Sequence, residues 1–75
     1  MIGERIRGAR TQKGILQADL ERMVGLPTSA ISRIESGQRG VDAKELVALS
    51  DALGVTVEHL LRGDSALRGA SVATD

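Results

Sequence analysis

Residues 17–36 read QADLERMVGLPTSAISRIES, and the way this stretch divides decides the fold. The break falls at Val24-Gly25-Leu26-Pro27. Before it, Leu20, Met23 and Val24 share one helical face; after it, Ile31 and Ile34 do the same. Gly25 is the residue type that closes a helix in the left-handed conformation, and Pro27 with Thr28 opens the next one only three residues on. So short a link forces a sharp angle between two helices, which is the geometry of a helix-turn-helix.

Gly14, Gly25, Gly37, Gly54 and Gly63 each follow a segment with helical spacing, and the spacing predicts helices over 2–13, 17–24, 28–36, 43–53 and 57–62. Ile2, Ile6, Ala9 and the stem of Lys13 form the stripe of the first, and Leu46, Leu49 and Leu53 that of the fourth. Asp42 and Glu45 stand at capping-box spacing before the fourth helix, and Thr56 stands at the N-cap of the fifth. No segment alternates with period two. The expected fold is therefore all-α, a compact five-helix bundle with the helix-turn-helix in helices two and three. Residues 1–63 make one domain; DSALRGASVATD, at 64–75, is small, polar and aperiodic, the composition of a disordered tail or linker.

Composition narrows the functions. The 75 residues are 41% hydrophobic with no aromatic side chain, so the core must be aliphatic. No ring is available to stack on unpaired bases. The absence of cysteine excludes disulfides, thiolate zinc sites and cysteine nucleophiles. No apolar run approaches the roughly 20 residues of a membrane span, and MIGERIRGAR lacks the apolar core of a secretory signal, which points to the cytoplasm. Ten basic and ten acidic residues cancel overall, yet residues 1–40 carry a net +3 and residues 41–75 a net −3. A cationic face on a neutral domain would give that split, as would an ordinary solvated surface.

The third segment is the most informative. At about 100° per residue, Thr28, Ser32, Ser36, Ser29 and Arg33 fall on one half of the wheel and Ala30, Ile34 and Ile31 on the other. Every surface helix has a polar face. This one has short hydroxyl side chains that permit close approach, and one long guanidinium that reaches past them. It suits a helix seated in a DNA major groove, where arginine bonds bidentately to guanine.

The stretch KGILQADLERMVGLPTSAISRIESGQRGVDAKELVALSDALGVTVEHLL resembles the helix-turn-helix family of phage repressors and Cro, the xenobiotic-response-element type of bacterial transcriptional regulator. Gln17, Leu20, Gly25, Ile31, Ile34 and Ala52-Leu53-Gly54-Val55 carry the resemblance, which spans residues 2–62. It implies a lambda-repressor-like domain binding double-stranded DNA in the bacterial or phage nucleoid. Thr28, Ser29, Ser32 and Arg33 match positions that read base edges. Gln17, Gln38, Arg39 and Arg10 match positions near the phosphate backbone, and Arg10 also matches the partner of Glu35 in an ion pair that steadies the recognition helix. Two positions depart from the family pattern. Glu21 replaces a common alanine where the motif helices meet, and has to reach solvent or a partner, with Arg22 and Arg33 as candidates. Leu16 replaces a Ser or Thr N-cap, leaving Asp19 to favour the first turn.

Catalysis finds no support. His59 is the sole histidine, beside Glu58, with no nucleophile, metal set or phosphate loop near it in sequence. Neither a cofactor nor a metal is expected. The leading expectation is a dimeric repressor reading a palindromic operator, since one small domain touches few base pairs. Val57, Leu60 and Leu61 cannot all face one small core, so some are expected at a homodimer interface. Two alternatives stand: a protein-interaction module, as in an antitoxin or polymerase-binding subunit, and the N-terminal reading head of a longer regulator with an additional C-terminal domain.

Overall fold

Glycine punctuates the chain as its spacing predicts. Gly14, Gly25, Gly37 and Gly54 all have positive φ, between 68° and 83°. The computed structural model describes residues 1–62; Gly63 and the tail expected at 64–75 lie outside the described residues. The glycines separate α1 (Ile2–Gln12), α2 (Gln17–Val24), α3 (Thr28–Glu35) and α4 (Ala43–Leu53). A fifth helix, α5, covers 57–62, and no strand occurs among the described residues. Every helix starts where expected. α1 and α3 end one residue early, because Lys13 and Ser36 serve as C-caps.

The caps follow the sequence closely. Asp42 accepts the Glu45 N–H at 2.8 Å, and Glu45 accepts the Asp42 N–H at 3.0 Å, completing a capping box on α4. Thr56 Oγ1 accepts the His59 N–H at 3.0 Å and starts α5. At α2 only half a box forms: Asp19 accepts the Leu16 N–H at 3.2 Å, while the leucine has nothing to return.

All five helices contribute to one core of Ile6, Ala9, Leu20, Ile31, Ile34, Leu49, Leu53 and Leu60. Burying each aliphatic side chain of this kind stabilises the fold by roughly 1.5–3 kcal/mol before entropy is counted. Lys13 departs from the expected stripe: it is exposed, and its ammonium end lies over Gly54 at the close of α4. The interior places α3 tightly against α1. A Cβ built on Gly3 would sit 2.2 Å from the Ile34 carbonyl oxygen, so only glycine permits this approach. α5 is fastened to α1 by Arg5, whose Nε donates to the Leu60 carbonyl at 2.7 Å and whose Nη2 donates to that of Leu61.

These contacts sort the three residues expected at a dimer interface. Leu60 is fully buried in the domain's own core, which removes it from that surface. Val57 is half-buried and Leu61 is 52% exposed.

Candidate nucleic-acid interface

α3 buries its aliphatic half and presents its polar half. Ile31 and Ile34 reach the core, Ser29, Ser32 and Arg33 are exposed, and Thr28 is half-buried. The Arg33 guanidinium makes no hydrogen bond or ion pair with any described residue, so its donors remain available to a ligand. Such a surface has three short hydroxyls and one unengaged fork of N–H groups. Chemically it can approach a grooved polar partner closely and bond to paired acceptors such as guanine O6 and N7.

The first end of α3 is held from the neighbouring helix. Pro27 occupies the N-cap and has no side-chain acceptor to offer. Glu21, from α2, supplies it instead. Its Oε1 accepts the Thr28 N–H at 3.1 Å and also a short hydrogen bond from the Thr28 hydroxyl. The partners expected for Glu21 are thus corrected: Arg22 pairs with Asp19 on its own helix, and Arg33 faces outward. The cause is geometric. The three-residue turn brings the start of α3 against the face of α2 that Glu21 occupies, and the unsatisfied N–H groups there attract a carboxylate.

The other end is held from within. Glu35 is buried and receives Arg10 in a fork, Nε to Oε2 at 2.7 Å and Nη2 to Oε1 at 3.1 Å. Arg10 Nη1 donates to the Ile15 carbonyl at 2.8 Å, and Gln17 Nε2 donates to Glu35 Oε1 at 3.1 Å. The expected pair therefore exists, and it reaches further than expected, locking α1, α2 and α3 together through one carboxylate. It also bears on the double expectation for Arg10. A guanidinium turned inward with a side chain 11% exposed is a structural cation, poorly placed to meet a phosphate. Gln17 differs: one N–H is fixed by Glu35, leaving its second N–H at the start of α2 for an outside acceptor.

Beyond α3 the chain folds back on the end of the helix. The Arg33 carbonyl accepts N–H groups from Gln38 at 2.8 Å and Arg39 at 3.2 Å, which fixes both residues beside the recognition face. Gln38 is exposed. Arg39 is engaged by Glu45 through Nη1 at 3.1 Å and Nη2 at 2.9 Å. The Arg39 guanidinium, helped by the Asp42 N–H, holds the Glu45 carboxyl below the ordinary carboxylate range. In return, the hydrogen bond to Glu45 raises the pKa of Arg39. A phosphate contact by Arg39 therefore requires exchange of one anion for another.

Sequence reasoning missed three of these contacts: Glu21 with Thr28, Gln17 with Glu35, and Arg39 with Glu45. The first had a readable signal, since a proline at an N-cap leaves the helix start needing an acceptor from elsewhere. The others depend on how the loop and helices fold back, which spacing does not report. Among the described residues no three His, Cys, Asp or Glu side chains converge to hold a metal, and no helix is long and apolar enough to cross a membrane.

Known proteins resemble this chain in sequence and in fold. Repressor protein C2 of Salmonella phage P22 is 42% identical over 64 residues, covering 85% of this chain and 30% of the repressor. The SPbeta prophage-derived HTH-type transcriptional regulator YonR of Bacillus subtilis is 36% identical over 66 residues, 88% of this chain and 61% of that protein. The chain thus spans about a third to three-fifths of the length of these relatives. Among solved structures, the P22 c2 repressor in complex with a synthetic operator superposes with a TM-score of 0.81 at 42% identity, over 85% of this chain and 97% of that one. SinR, the master regulator for biofilm formation, in complex with DNA gives 0.77 at 34% identity, over 81% and 98%. The fold is that of these two DNA-bound regulators. Residues 6–60 match the helix-turn-helix family, and the chain belongs to it.

Proposed function

We propose that the chain is a sequence-specific reader of double-stranded DNA that acts in transcriptional repression, with α3 in the major groove. The observation that carries this is the outward face of α3. It has hydroxyls at Ser29 and Ser32, an unengaged guanidinium at Arg33, and an aliphatic underside locked into the core. Ser29, Ser32 and Arg33 read base edges, with Thr28 at the helix start. Gln17 and Gln38 contact phosphates, and Arg39 does so when released by Glu45. The same fold occurs in the P22 c2 repressor bound to a synthetic operator and in SinR bound to DNA, which supports a DNA-reading role. In this reading the chain is a regulator and not an enzyme, and it works in the cytoplasmic nucleoid.

Useful affinity from so small a domain calls for two copies on half-sites about one helical turn apart. Leu61 and Val57, at the surface of α5, are the residues proposed for the homodimer contact. Selection from a randomised duplex pool, followed by a salt titration on the winners, tests the function. A palindromic consensus is expected, with affinity falling steeply as salt rises. No consensus and a flat salt response would instead favour a protein partner for the same fold.

A further inference from the structure

The two ends of the α3 face differ in what they can offer a base. At one end Arg33 presents donors only. At the other, the donors of Thr28 are already spent: its N–H and its hydroxyl proton both go to Glu21 Oε1. A hydroxyl has one proton and two lone pairs, and a carboxylate is acceptor-only. What Thr28 and Glu21 together leave for a ligand is the Thr28 oxygen with its lone pairs, the Thr28 methyl, and Glu21 Oε2, which takes no hydrogen bond from any described residue. Glu21 is exposed and its carboxylate lies against Thr28, the first residue of α3.

We propose that Glu21 is a specificity-determining residue of this DNA reader. By taking the Thr28 proton it makes the Thr28–Glu21 contact acceptor-only, and so selects a base pair that turns an exocyclic amino group toward that contact. In the major groove those groups are cytosine N4 and adenine N6, whereas guanine O6 and N7 and thymine O4 are acceptors and would face lone pairs across the contact. The face is thereby polarised, with amino bases favoured at the Thr28 end and guanine at the Arg33 end. This inference rests on the placement of α3 in the major groove proposed above.

The experiment is a selection from a pool of duplex DNA randomised over two helical turns, run in parallel with the wild-type chain and with Glu21→Gln, Glu21→Ala and Arg33→Ala. Helical circular dichroism and thermal unfolding confirm that each variant is folded. Glutamine keeps an oxygen for Thr28 and turns an amide N–H₂ outward, so it retains the cap and reverses the polarity of the exposed group. The wild type is expected to enrich an amino base at one position of each half-site by about five- to tenfold, the value of one good hydrogen bond. Glu21→Gln is expected to move that enrichment to guanine or thymine at the same position, and Glu21→Ala to flatten it. Removing a negative charge tightens binding to every duplex, so the base ratio is the readout and raw affinity is not. If both Glu21 variants select the wild-type sequence while Arg33→Ala changes it, the role of Glu21 is wrong and the placement of α3 stands. If Arg33→Ala also selects the wild-type sequence, the placement itself fails and takes this inference with it.

Discussion

Two glutamates grip the recognition helix at opposite ends, and they do opposite work. Glu35, at its last turn, is buried beneath Arg10 and Gln17 and joins three helices. Glu21, at its first turn, is exposed and reaches across from α2 to cap Thr28. Carboxylates of the same residue type thus divide into a structural anchor and an adjustable clamp. What separates them is solvent. The buried one cannot lose a partner without stranding a charge, whereas water can replace much of what the exposed one supplies.

That contrast is open to direct attack. Glu35→Ala should cost the most, about 3–5 kcal/mol of folding free energy, because it strands the Arg10 guanidinium in the interior. Denaturant unfolding reads the loss directly, and unchanged stability would mean the network carries no weight. Gly3→Ala strikes the same end from α1. Its methyl collides with the Ile34 carbonyl, and a loss of about 1–3 kcal/mol is expected from the overpacked contact. At the other end, Glu21→Ala removes a helix cap. It should lower stability by only about 1 kcal/mol, leaving a folded domain whose first α3 turn exchanges amide protons faster.

The smallest effect belongs to Glu45. Its carboxyl is held below the ordinary range by Arg39, so the stability it contributes is present above its unfolded pKa of about 4.3 and is lost as pH falls through the lower folded value. Glu45→Gln, which keeps the capping box, should make the acid limb of the stability curve shallower below about pH 4. It should also free Arg39 for a phosphate, steepening the salt dependence of DNA binding by about one unit of slope. An unaltered slope would show that Arg39 never leaves the protein surface.

Much of this molecule is legible in its sequence, for identifiable reasons. The left-handed glycines, the Asp42–Glu45 capping box and Thr56 are local devices, and local devices survive folding unchanged. The two faces of α3 follow from a helical period that the core then enforces on Ile31 and Ile34. Where two elements meet, spacing alone says little, and the one contact anticipated there, Arg10 with Glu35, came from the family resemblance. Three apolar residues on α5 could not be apportioned between core and surface until Leu60 was seen packed among the other helices. Arg10 and Arg39 look equally cationic as letters. Folding turns one inward onto Glu35 and sets the other, part-exposed, against Glu45. Glu21 is the sharpest instance, a departure from a common alanine that becomes the cap its own helix partner lacks.

If the exposed face of α3 reads sequence, a binding cycle on Arg33 will show it. The wild type and Arg33→Ala are each titrated against the selected duplex and against duplexes carrying one base-pair change at each position of a half-site. The wild type should discriminate at every contacted position, and Arg33→Ala should lose about 1–3 kcal/mol of discrimination at a single base pair while keeping it elsewhere. Equal discrimination by the two proteins at all positions would contradict the claim.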